Sequence, residues 1–80
     1  MAASAYILID IPPGRDMQRI LDSLRNLESV KVANAVAGPH DIIAELEAED
    51  FNVLAQSVIG EVRSIDGISD TVTLYVVADN

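Results

Sequence analysis

The residues best suited to chemistry lie between two apolar runs, at Gly38-Pro39-His40-Asp41 within "AVAGPHDIIAEL". Gly38 permits a positive φ or a close backbone approach, and Pro39 fixes φ for a tight turn. Free amides near Gly38 would suit a carboxylate, and Asp41 would suit an ammonium group. Together those two groups describe an α-amino acid. Asp41 could equally accept hydrogen bonds from turn amides and only hold a hairpin. Sequence physics leaves both readings open.

The other polar candidates are weaker. His40 is the sole histidine and has no second base, metal partner or nucleophile near it in sequence. It reads as a turn or pocket-edge residue, not a catalytic one. Glu45 and Glu47 fall on one face of a strand, but no His or Asp stands at ligand spacing. Pairing with Arg or Lys, or plain solvation, is expected of them rather than a metal site. Thr71 and Thr73 project to one side of the last strand, where Thr is common for β-propensity alone. Their hydroxyls matter only if the Gly38 turn is a pocket. There is no phosphate loop, GxGxxG, nucleophile elbow or zinc spacing, and no cysteine. We expect no enzyme, no catalytic residues, no metal and no cofactor.

Thirteen acidic residues stand against five basic ones, Arg15, Arg19, Arg25, Lys31 and Arg63, for a net charge of −8. Nucleic-acid binding relies on Lys and Arg displacing counterions from phosphates, so this surface would repel a polyanion. It would also avoid an anionic membrane. The start, "MAASAYILIDIPPG", lacks a charged leader region and its apolar run breaks at Asp10, unlike a signal peptide or a membrane span. The expected location is the cytoplasm.

Six segments must position the candidate residues, in the order βαββαβ. "SAYILIDI" (4–11) reads as a strand stopped by Pro12-Pro13-Gly14. Residues 15–27 place Met17, Ile20, Leu21, Leu24 and Leu27 on one helical stripe. "VKVANAVA" (30–37) and "DIIAELEA" (41–48) read as strands around the Gly-Pro turn. Asp50 is a helix N-cap candidate, followed by Phe51, Leu54, Val58, Ile59, Val62 and Ile65 at helical spacing, with Gly67 just past the end. "SDTVTLYVVA" (69–78) is the last strand. Eighty residues allow one domain, 1–80, and an interior built on Ile, Val, Leu and Ala.

Right-handed crossovers turn this order into the α+β, ferredoxin-like arrangement. It is a four-stranded antiparallel sheet with two helices on one face, the third strand lying between the first and second and the fourth outside the first. The Pro12–Gly14 loop, the Gly38–Asp41 turn and the Asp66–Thr71 approach then gather at one end. The opposite end offers mainly Glu47, Glu49 and Asp50. Both parities of the first and fourth strands are apolar: Tyr6, Leu8, Tyr75 and Val77 in one set, Ile7, Ile9, Leu74 and Val76 in the other. Whichever set faces the helices, a second apolar surface remains, too large to leave wet on a monomer. Its simplest cover is the same face of another copy, in a homodimer.

With these segments in place, the chain resembles the stand-alone ligand-binding domain of the Lrp/AsnC regulators, the regulation-of-amino-acid-metabolism domain. The resemblance spans about residues 5–78. It rests on "AYILIDIPPG", on "VKVANAVAGPHDIIAELEAED" with its Gly-x-x-Asp turn, and on "EVRSIDGISDTVTLYVV" with its Thr-x-Thr strand. It implies a dimer joined sheet to sheet (a dimeric α+β barrel), dimers joined into octameric rings, and free amino acids or related small molecules as effectors between dimers. Carried over by position, it points to Gly38, His40 and Asp41 as ligand-binding residues, and to Thr71 and Thr73 less directly. Full-length members carry an N-terminal helix-turn-helix domain that has no counterpart here, so direct contact with nucleic acid is not expected. The expected role is a non-enzymatic amino-acid sensor and assembly module acting in regulation of transcription or amino acid metabolism. The alternatives are a structural partner that co-assembles with a full-length regulator and a small dimeric α+β-barrel oxygenase or isomerase. An ACT-type amino-acid-binding domain is a near neighbour of the same fold.

Overall fold

The computed structural model describes residues 2–78 of the chain. Alternating side chains define which face of each strand is buried. In β1 (Ala3–Asp10) Ala5, Ile7 and Ile9 are fully buried, while Tyr6 and Leu8 point the other way. In β3 (Ile42–Ala48) Ile42, Ala44 and Leu46 are buried, and Ile43, Glu45 and Glu47 alternate outward. β2 (Val30–Ala35) and β4 (Asp70–Tyr75) complete the sheet in the order β2-β3-β1-β4, with every neighbouring pair antiparallel. This is the strand order expected from the sequence.

α1 (Met17–Arg25) starts where the Asp16 side chain accepts a hydrogen bond from the Arg19 amide, at 3.1 Å. Its buried residues are Ile20, Leu21 and Leu24. α2 (Phe51–Ser57) starts at Asp50, whose carboxylate accepts from the Val53 amide at 2.9 Å, the cap anticipated above. The helix continues as a π-helical turn, Val58–Val62, closed by Arg63 N donating to Val58 O at 3.1 Å. A π turn accommodates more residues per revolution than an α-helix. Leu54, Val58 and Val62, four residues apart, therefore all face the sheet and are buried. Each such apolar side chain removed from water contributes about 1.5–3 kcal/mol.

Four expectations need correction. Phe51 and Ile59, placed on the buried stripe by an ideal helical period, are 57% and 61% exposed. Phe51 instead packs against Tyr75, ring centroids 4.9 Å apart. Gly67 does not close the helix: four residues separate it from Val62, and it sits at φ +103 in the loop that returns to β4. A Cβ on it would lie 2.9 Å from Ile20 Cδ1. β4 ends at Tyr75, and Val77 is 97% exposed.

The fourth correction concerns the two faces of the sheet. The register pairs Tyr6 with Leu74, Leu8 with Val72, Ile7 with Thr73 and Ala5 with Tyr75. Tyr75 therefore belongs with Ile7 on the helix side, and Leu74 with Tyr6 on the uncovered side. That uncovered side carries Tyr6, Leu8, Ile43, Val72 and Leu74, the apolar surface anticipated with a different membership. A one-residue shift of register exchanges the faces of a whole strand.

Candidate functional site

Three segments meet where β1 ends. The hairpin between β2 and β3 is closed by Val36 N donating to Asp41 O, and Asp41 N donates to Ile9 O, both at 2.9 Å. The Asp41 carboxylate reaches across to accept from Ile11 N at 2.7 Å. His40 Nδ1 lies 2.9 Å from Asp10 Oδ1, both side chains partly buried. From the other side, Ser69 N and Ser69 Oγ both donate to Asp10 O, at 2.9 and 3.0 Å. The turn, the end of β1 and the approach to β4 are thus fastened together, as topology required. Asp10 joins all three.

The individual candidates differ in what they do. Asp41 has a structural partner, the Ile11 amide of the neighbouring strand end rather than an amide of its own turn. Gly38 uses neither freedom expected of it. Its φ is not positive, and no atom lies within 4 Å of where a Cβ would stand. Nothing inside the chain asks for glycine there, so its surface is open to approach from outside. Thr71 and Thr73 stand half-buried on the helix side of β4, in register with Ile9 and Ile7. β1 lies between them and the β2–β3 hairpin that carries the Gly38 turn. Thr71 lines a small hollow together with Arg63, Ile68, Ser69 and Asp70.

Sequence reasoning did not single out Asp10, Ser69 or Arg63 for the site. In the sequence Asp10 marks only the end of an apolar run. Its position as last residue of β1, opposite Asp70 in register, is the signal that could have revealed it.

The opposite end of the sheet holds a larger cleft of about 480 Å³, lined by residues that include Glu28, Glu47, Gln56, Ser57 and Glu61. Glu47 is paired with Lys31 at 3.6 Å, and Glu45 lies 3.5 Å from the Tyr6 hydroxyl. Ser57, buried, bonds to Ser29 and donates to Glu61 at 2.8 Å. The three carboxylates lining this cleft disfavour a free carboxylate, so size alone does not make it the better amino-acid site. Among the described residues, no group of three or more His, Cys, Asp or Glu side chains is placed to hold a metal ion. No helix among them is long and apolar enough to cross a membrane.

Comparison with known proteins places these features in context. The model of the Lrp/AsnC ligand binding domain matches residues 4–79. An HTH-type transcriptional regulator of Pyrococcus horikoshii is 26% identical over 76 residues, which cover 92% of this chain and 51% of the regulator. This chain thus spans about half the length of the curated relative it matches. The structure of E. coli AsnC superposes with a TM-score of 0.87 at 25% identity, covering 96% of this chain and 52% of that one. A transcriptional regulator of Neisseria meningitidis, solved as a complex with L-Met, shares the fold with a TM-score of 0.83 at 22% identity. That match covers 96% of this chain and 51% of the regulator.

Proposed function

The chain belongs to the Lrp/AsnC ligand-binding-domain family of transcriptional regulators, and on that premise we propose that it is a non-enzymatic amino-acid-responsive assembly module. Two copies join through the uncovered sheet face, and dimers join into larger rings at the end bearing the Gly38 turn. The effector is a free α-amino acid, held where Gly38, His40 and Asp41 are presented. Its carboxylate meets backbone amides near Gly38, and its ammonium group meets Asp41.

The observation that carries this reading is the uncovered face of β1 and β4, where Tyr6 and Leu74 are 40% and 51% exposed side by side. An apolar sheet face without helices needs a cover, and a second copy of the same face supplies an apolar one. A full-length regulator of the family is the other partner that such a face suits. The L-Met complex of the Neisseria regulator supports an amino acid as the ligand class. Gly38, required by no internal contact, supports the turn as the place where something docks. A ligand bound only by the assembled form would favour assembly by about 2.7 kcal/mol at a hundredfold excess over its Kd.

Native mass spectrometry of the chain with each of the twenty amino acids tests the proposal, because it reads assembly state and retained ligand together. The expected result is even-numbered assemblies, with at least one amino acid retained and the larger species enriched. An 8.6 kDa particle under every condition would overturn it.

A further inference from the structure

We propose that Glu45 is a proton-operated brake on the sheet-to-sheet contact. Two copies close fully over it only when its carboxylate takes up a proton from solvent, so they hold together more tightly as pH falls. The inference rests on the sheet-face dimer proposed above and adds a control to it.

Register puts Glu45 in the middle of the uncovered face. Two rows of paired residues cross all four strands there, Val32-Glu45-Tyr6-Leu74 and Asn34-Ile43-Leu8-Val72. Glu45 is the only charged residue of the eight. Tyr6 offers it one long hydrogen bond, hydroxyl to Oε2, at 3.5 Å. A partner that covers Tyr6 and Leu74 therefore covers Glu45 as well. The other charges lie toward the ends of the face. Lys31, on β2, is committed to Glu47 at 3.6 Å, and Asp10 to His40 at 2.9 Å. Asp70 stands opposite Asp10 in register and accepts from the Thr71 amide at 2.9 Å. Among the described residues no cation lies within 4.0 Å of the Glu45 carboxylate.

A carboxylate without a cation is far more costly to take out of water charged than neutral. Each copy contributes one Glu45, and the second copy brings the same committed lysine. The assembled form therefore binds more protons than the separated copies, and linkage fixes the sign: association strengthens as pH falls. The neutral carboxyl also gains an O–H donor, which the Tyr6 hydroxyl oxygen can accept.

The test is the dimer dissociation constant, measured by ultracentrifugation from about pH 7.5 to about pH 5.5. Salt at about 0.5 M screens the general repulsion between two acidic copies. The expected result is a constant at least about tenfold smaller at the lower pH. Glu45→Gln keeps an acceptor for Tyr6 and carries no charge. At the higher pH it should dimerise at least about tenfold more tightly than wild type, and its constant should no longer follow pH. Glu28→Gln removes the same charge away from the sheet face, beside the cleft on the helix side, and should behave as wild type. A wild-type dimer indifferent to pH, a pH dependence that Glu45→Gln retains, or a Glu45→Gln dimer no tighter than wild type would overturn the brake and leave the dimer standing. Single copies of both proteins at every pH, up to about 100 μM, would overturn the sheet-face dimer and the brake with it.

Discussion

His40 Nδ1 and Asp10 Oδ1 stand 2.9 Å apart, which links the tip of the β2–β3 hairpin to the last residue of β1. The same Asp10 receives Ser69 through its carbonyl. One residue therefore sets the spacing of two loops that otherwise meet only through the sheet. His40→Ala and Asp10→Ala should each lower stability by about 0.5–1.5 kcal/mol, the range for one partly solvated hydrogen bond. The double variant should lose less than the two losses added, because the shared bond is broken once. Urea denaturation of the four proteins checks this, and full additivity would show that the contact carries no coupling.

Asp41 combines a structural duty with its proposed ligand duty, and two substitutions separate them. Asp41→Ala leaves the part-buried Ile11 amide without its 2.7 Å acceptor, a loss of about 1–3 kcal/mol. Asp41→Asn keeps an acceptor oxygen but removes the negative charge. The asparagine variant should stay near wild-type stability while binding amino acids at least about tenfold more weakly (about 1.4 kcal/mol). Equal affinity of wild type and Asp41→Asn, by calorimetry on folded protein, would restrict Asp41 to the hairpin.

Two glycines should differ sharply in their response to alanine. Gly67 lies at φ +103, and a Cβ there meets Ile20 Cδ1 at 2.9 Å and Arg19 Nη2 at 3.2 Å. Strain and crowding should make Gly67→Ala lose about 1–3 kcal/mol. Gly38 has an ordinary φ and open surroundings, so Gly38→Ala should alter the stability of the folded chain by less than about 0.5 kcal/mol. Its effect should appear in assembly size and ligand retention. A large loss of stability on Gly38→Ala at a concentration where the chain is a single copy would contradict this.

The fold was legible because its determinants are local or topological. Asp50 as a cap, the Ile20-Leu21-Leu24 stripe and the Pro12-Pro13 stop are visible in a few consecutive residues, and handedness then dictates the strand order. The pairing of Leu74 with Tyr6 was not legible, because register depends on loop geometry between distant segments and a one-residue slip reverses every side chain. Ile59 was misplaced for a related reason: the π turn changes the period within a single helix, and periodicity analysis assumes one period throughout. The convergence of Gly38–Asp41 with the end of β1 followed from topology. The separation of Thr71 from the turn, and its proximity to Arg63, depended on which face of β4 turns inward.

The uncovered face yields the prediction that bears most directly on assembly. Leu74 and Tyr6 are register partners there, about half exposed. If a second copy covers them, the unfolding midpoint must rise with protein concentration, because association stabilises only the folded form. Leu74→Lys would take an ammonium group out of water in the largely apolar seam, at a cost of several kcal/mol in the assembly. In a lone chain the same change at a half-exposed position costs only about 0.5 kcal/mol or less. Ultracentrifugation should therefore show the wild type as at least a dimer at micromolar concentration and Leu74→Lys as a single folded copy. The unfolding midpoint of that variant should no longer depend on concentration. Gln56→Lys, an exposed change on the helix side, should leave the dimer intact. A Leu74→Lys protein of unchanged mass would mean that the copies meet elsewhere, and the apolar sheet face would then lose its role in the assembly.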